Sequence, residues 1–236
     1  MFSNNSRDDK LISILFVVGA LVWAVTQGSV TTAIIRIIVL LCCLSVHEAA
    51  HAFTAYKLGD PTARELGRVT LNPLKHLTAD GTVLMLLFGF GYARPVPVNV
   101  GNFPPDKRKK YYALTALAGP ASNILMAILF TVLSALLFKL APRTYTLCTY
   151  ILTAGYINIS LAIFNLLPIP PLDGSSLLGL ILPANVYYGM LKYRRYTIAA
   201  IFAVSFILHR LGISPLSFVS SAVFNFINRL VFLVIR

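Results

Sequence analysis

The chain has 236 residues, 57% of them hydrophobic and only 12% charged, with a mean hydropathy of +0.77 and a formal net charge of +12. A soluble domain carries about 25% charged residues, so an ordinary soluble globule is excluded and the bilayer becomes the expected solvent. The basic excess does not point to nucleic acid, because the lysines and arginines fall between hydrophobic runs, where membrane topology places them.

Six apolar runs approach the roughly 20 helical residues needed to cross a hydrocarbon core of about 30 Å. The first, Leu11–Thr26, follows Arg7 and Lys10 and reads as an uncleaved anchor rather than a signal peptide. The second, Ile34–Tyr56, carries His47, Glu48 and His51 in its midst. Ionisable side chains at membrane depth cost about 2.5–3.5 kcal/mol each on insertion scales, so they mark a working site. Two histidines four positions apart project from one helix face. With Glu48 they form HExxH, in which the histidines hold zinc and the glutamate is the general base of a metalloprotease. A metal-free cluster of helix–helix hydrogen bonds is the competing structural reading. Cys43, one turn before His47, reads as a small apolar filler rather than a fourth ligand. The cysteines (Cys42, Cys43, Cys148) have neither a disulfide nor a zinc-knuckle spacing.

The loop Lys57–Lys110 holds nine basic residues. Within it Gly81–Tyr92 is apolar but too short to cross. Followed by RPVPVN, it reads as a short membrane-associated β or re-entrant segment, whose backbone protein or water must satisfy. His76 reads as interfacial. Asp8, Asp9, Asp60, Asp80 and Asp106 all fall in interfacial or water-exposed stretches, and DKRKK (Asp106–Lys110) is a cytoplasmic flank.

The third span, Tyr111–Phe138, includes Gly119, Pro120 and Asn123, for which close packing on the zinc helix and substrate contact both remain open. The fourth, Thr146–Leu167, runs into NLLPIPPLDG. Zinc needs a third protein ligand, and Asp173 is the best acidic candidate. It follows Pro168, Pro170 and Pro171, which break helix, and Gly174 permits a bend beside it. A plain loop aspartate at a membrane exit is the alternative. Two weaker spans follow, Thr197–His209 and Pro215–Ile235, the last carrying Asn225, Asn228 and Arg229. Tyr111, Tyr112, Tyr187 and Tyr188 fit an aromatic belt.

HEAAH, AGPASN (Ala118–Asn123), FNLLPIPPLDG (Phe164–Gly174) and GYARPVPVN (Gly91–Asn99) together resemble the site-2 protease family of intramembrane zinc metalloproteases, peptidase family M50. The resemblance runs from about Cys42 to Gly174. It departs from the family at HLTADG (His76–Gly81), where many members carry His-Ile-Asp-Pro. It implies a three-span catalytic core with one Zn2+ held by His47, His51 and Asp173, Glu48 as base, and Asn165 positioning substrate or stabilising the oxyanion.

The expectation is therefore an all-α polytopic membrane protein of about six spans forming a single protease domain over residues 1–236. The catalytic core covers residues 34–174, and additional C-terminal helices cover residues 196–236. Its partners would be the bilayer and a single-span protein substrate cleaved within or near it, with no nucleic acid. Its place would be a bacterial plasma membrane. A metal-binding membrane transporter or sensor without protease activity is the alternative.

Charge orients the chain. The loop after the second span, Lys192–Arg195 and both termini carry nearly all basic residues, against Lys139, Arg143 and Arg210 on the other side. Cysteine labelling is expected to place Lys109 and Lys192 together in the cytoplasm and Thr144 opposite. Labelling of Lys109 and Lys192 from different sides would break this topology.

Overall fold

The computed structural model describes Val18, residues 30–77 and residues 94–235. The predicted first span and the predicted β or re-entrant segment lie outside these residues, apart from Val18. The described residues hold helices and loops and no strand. Four helices are long and apolar enough to cross a membrane. They are α1 (Val30–Lys57), α3 (Arg108–Leu140), α4 (Tyr145–Asn165) and α8 (Pro215–Ile235). The short α2 (Thr62–Glu65) follows α1, while α5 (Ser175–Ile181), α6 (Ala184–Lys192) and α7 (Arg194–Arg210) link α4 to α8. The fifth predicted span is helical as α7, but its 17 residues reach about 25 Å at 1.5 Å per residue. That is short of the hydrocarbon core, so α7 is not among the four candidate crossings of the described residues.

Helices α1, α3 and α4 pack on one another and α8 leans on α3 and α4. Lipid offers no hydrophobic drive for helices to associate, so close packing of small residues and interhelical hydrogen bonds must supply it. The buried faces follow that rule. Ala52 and Ala55 of α1, Ala127 and Ala135 of α3, and Ala154 and Ala162 of α4 are all buried. The Ser134 hydroxyl donates to the Cys148 carbonyl at 3.1 Å between α3 and α4. On α8, Phe224 packs with Ala127 and Ile159 and sits where a Cβ on Gly155 would lie only 3.0 Å from its ring.

The end of α1 is fixed locally. Gly59 has φ +109, and the amides of Gly59 and Asp60 return to the carbonyls of Tyr56 (3.2 Å) and Ala55 (2.9 Å). This is the glycine-terminated C-cap that satisfies the last helix carbonyls. Asp60 then turns inward. Sequence places it in a water-exposed stretch, yet it is fully buried. Its carboxylate accepts from the Thr62 amide (3.1 Å), the Thr62 hydroxyl (2.5 Å), the Asn99 amide (2.7 Å) and Asn102 Nδ2 (2.7 Å). Four donors explain the burial, since a buried carboxylate persists only when its lone pairs are satisfied. They tie the exit of α1 to the segment that leads into α3.

Burial pushes the Asp60 carboxyl up, but the Thr62 hydroxyl and the other donors outweigh it and hold the group below its ordinary value. A carboxyl depressed in the folded state contributes stability that is present above its unfolded value of about 3.9 and lost as pH falls through the folded value. Asp60→Ala is expected to lower thermal stability, leaving buried donors unpaired at about 1–3 kcal/mol each. The deficit against the parent should shrink in acid, and a deficit independent of pH would deny the carboxylate this role.

Candidate metal centre

The middle of α1 brings His47 and His51 to the face turned toward α3, both buried. His47 Nδ1 lies 2.6 Å from Asn123 Oδ1 and His51 Nδ1 lies 2.7 Å from the Thr115 carbonyl oxygen. Both partners are acceptors, so each Nδ1 carries the hydrogen and donates it. Each neutral ring then has its lone pair on Nε2.

Those two Nε2 atoms are 3.0 Å apart. Asp173 Oδ2 comes within 3.1 Å of His47 Nε2 and 3.4 Å of His51 Nε2. It is a buried oxygen that accepts no hydrogen bond. Three electron-pair donors this close repel one another unless a proton or a metal cation lies among them. Tetrahedral zinc with bonds of 2.0–2.1 Å to nitrogen and oxygen needs donor separations of about 3.3 Å. The observed triangle therefore fits zinc and leaves its fourth position open.

Space confirms the fit from the side of α3. A Cβ on Gly119 would lie 2.3 Å from His51 Nε2 and 2.6 Å from His47 Cε1. Only glycine lets α3 approach the two imidazoles this closely. The next residue, Pro120, lacks the amide that helix geometry would aim at the Ala116 carbonyl, loosening the turn that faces the histidines.

Asp173 arrives from the proline-rich turn after α4. The turn closes where the Gly174 amide donates to the Asn165 carbonyl at 2.7 Å. A Cβ on Gly174 would meet the Leu166 carbonyl oxygen at 2.1 Å, so glycine is required for close approach. Ser175 and Ser176 then start α5, the Ser176 amide bonding the Asp173 carbonyl at 2.9 Å.

The predicted site residues divide into two groups. His47, His51 and Asp173 converge. Glu48 is buried beside His47, and its charge reaches Arg68. Burial pulls the Arg68 guanidinium below its ordinary value, and the Glu48 carboxylate opposes that shift. Asn165 presents its backbone to the Asp173 turn, while its side-chain Nδ2 donates to the Leu161 carbonyl at 3.0 Å. His76, expected at the interface, is buried, with Nε2 2.9 Å from the Thr70 carbonyl oxygen. Its backbone oxygen accepts from the Arg94 amide, which makes it part of the loop wall. Sequence reasoning missed Thr115 and Asn158. Asn158 is fully buried in α4 and donates to Cys43 Sγ, so Cys43 is a hydrogen-bond acceptor as well as a filler. An asparagine inside an apolar span was the available signal.

A sequence model described as Peptidase family M50 matches residues 141–209. That stretch contains Asp173 and begins well after the histidine pair. The chain is 40% identical over 165 residues to "Putative zinc metalloprotease YwhC" of Bacillus subtilis, covering 68% of this chain and 74% of that protein. It is 31% identical over 179 residues to "Putative zinc metalloprotease MJ0611" of Methanocaldococcus jannaschii, covering 75% and 85%. It is also 31% identical over 166 residues to "Putative zinc metalloprotease Rip2" of Mycolicibacterium smegmatis, covering 66% and 62%. No solved structure gives a significant match.

Gly119→Ala adds only a methyl group, but one directed at both imidazoles. Metal analysis of the purified variant is expected to fall from about one zinc per chain, the content of a three-ligand catalytic centre, to a small fraction of that. A zinc content equal to the parent's would mean that the histidines do not sit where α3 holds them.

Proposed function

The chain belongs to peptidase family M50 and is a zinc metalloprotease with Zn2+ as its cofactor, and from that premise we propose that it cleaves single-span membrane proteins within or near the bilayer. One observation carries the reading. His47, Glu48 and His51 lie inside α1, a helix long and apolar enough to cross a membrane, and Asp173 meets the histidines from the turn after α4, so a peptide must come to them at membrane depth.

In this reading His47, His51 and Asp173 hold the metal. Bound there, zinc supplies a Lewis acid that lowers the pKa of water toward about 7 and polarises a carbonyl. Glu48 takes a proton from the attacking water as its oxygen bonds to the carbonyl carbon. It then delivers that proton to the amine nitrogen as the C–N bond breaks. Burial of Glu48 beside His47 supports the assignment. Asn165 gives one N–H of its amide to Leu161 and retains the other for the developing oxyanion.

A helical substrate hides its carbonyls in its own hydrogen bonds, so it must be unwound before attack. Residues 94–99 lack regular structure and belong to the stretch 91–100 that we assign to presentation by edge pairing. Among residues 94–99, Pro95 and Pro97 have no amide hydrogen and the Arg94 and Asn99 amides are bonded to His76 and Asp60, so donors there come from Val96 and Val98, which share one edge of an extended chain. The second reading, a transporter or sensor, needs the ligands but not a base beside them.

Glu48→Gln separates the two. With protein reconstituted in vesicles beside a single-span substrate, cleavage is expected to fall by about 10²–10⁴-fold, the usual worth of a general base, while zinc content stays at the parent level. Cleavage at the parent rate would remove Glu48 from the chemistry. Loss of zinc would make it a ligand and favour transport or sensing.

A further inference from the structure

We infer that Asn158 is a positioning residue for the metal centre, acting through Asn123 to fix which ring nitrogen of His47 carries the proton. The inference deepens the zinc-protease reading and rests on it for its consequence, though not for its geometry.

The two histidines are oriented by different devices. His51 Nδ1 donates directly to a backbone carbonyl, that of Thr115, which can only accept. His47 Nδ1 instead faces an asparagine side chain, Asn123 Oδ1 at 2.6 Å. An amide has a donor end and an acceptor end, and a turn by half a revolution exchanges them. With the amide reversed, Asn123 would donate to His47 Nδ1, move the ring hydrogen to Nε2 and close the lone pair that zinc needs. Something must therefore hold Asn123 in one sense.

Asn158 supplies that hold. Asn123 Nδ2 donates to Asn158 Oδ1 at 3.0 Å. Asn158 Nδ2 donates in turn to the Ala154 carbonyl, four residues earlier on the same helix, at 2.9 Å, and to Cys43 Sγ. The Ala154 oxygen cannot donate, so it fixes Asn158 with its nitrogen toward α4 and its oxygen toward α3. The direction then passes along the relay, from the Ala154 carbonyl to Asn158, to Asn123, to His47 Nδ1–H. Asn123 and Asn158 are both fully buried, and among the described residues the side-chain partners of these amides are the groups already named. The relay starts on α4, crosses α3 and ends on α1, and Cys43 links Asn158 back to the turn of α1 that precedes His47.

Partners that orient a ligating histidine are worth about 10–100-fold in metal affinity. Asn158→Leu keeps the volume but removes the acceptor for Asn123. Asn158→Asp keeps an oxygen facing Asn123 in either protonation state. The experiment uses full-length protein labelled with nitrogen-15 histidine, stripped of metal for NMR of the ring tautomers and titrated with zinc against a chelator. In the parent, His47 and His51 are both expected as the Nδ1–H form. In Asn158→Leu, His47 alone is expected to lose that preference, with zinc affinity about 10–100-fold lower, while His51 keeps it on Thr115. In Asn158→Asp both histidines are expected to match the parent and zinc affinity to stay within a few-fold of it.

Unchanged His47 in the leucine variant would overturn the proposal. So would equal change at His47 and His51, which would mean that Asn158 only supports packing. If the leucine variant does not fold, the aspartate variant decides, and loss of the His47 tautomer there overturns the relay. A parent that binds no zinc would sink the metalloprotease reading, while the tautomer comparison would still stand or fall alone.

Discussion

Everything around the centre follows from one electrostatic constraint: two imidazole lone pairs and a carboxylate oxygen held 3.0–3.4 Å apart inside a membrane protein. Such a group is repulsive unless a cation lies within it. A dication held there would make three bonds and exceed the charge of Asp173 by one unit, which a Glu48 carboxylate would offset. Buried charges persist when they are paired and hydrogen-bonded, and here the pairing runs through the metal. The glycines at 119 and 174 are consequences of the same demand, since each marks where backbone must approach closer than a methyl group allows.

The helix packing serves that geometry with the means available in lipid. Large apolar side chains point outward in number, where acyl chains solvate them as well as a protein core would. Small residues and a few internal hydrogen bonds hold the interior. Thr115, Asn123, Thr131, Ser134 and Asn158 form a buried polar column along α3 and α4. Part of it ends on the metal ligands, so the groups that hold helices together also orient the histidines. Below the centre, Asp60 repeats the device outside the spans, collecting donors from three separate loop positions to fix where α1 stops and how α3 begins.

Much of this was legible in the sequence because it rests on short-range pattern. Apolar runs gave α1, α3, α4 and α8 to within a few residues at most ends. The i, i+4 spacing put His47 and His51 on one face, and the prolines before Asp173 marked where helix had to stop. What escaped was decided by distant partners. Asp60 sits in a polar turn that looks wet, and only Asn99 and Asn102, far along the chain, make it dry. His76 looks interfacial until the loop folds over it. Asn158 belongs to no motif, and its role emerges only when α3 and α4 are side by side. Of the expected crossings, four are supported among the described residues, and the first expected span lies outside them. Hydropathy registers that α7 is apolar, but its ends are charged and its length is short of the bilayer.

The origin of the ligands makes the centre a joint as well as a catalyst. Two come from one rigid helix, whose spacing cannot change without breaking its backbone bonds. The third comes from a turn that α4 delivers, closed by backbone hydrogen bonds that include Gly174 to Asn165. Metal binding therefore couples the middle of α1 to the exit of α4, and part of its free energy appears as association between those helices. Asn165, the last residue of α4, accepts the Gly174 amide with its carbonyl and sits on the element that brings Asp173. In the proposed chemistry the histidines and Glu48 belong to α1 and Asp173 to the turn after α4, and a metal held by both would join them.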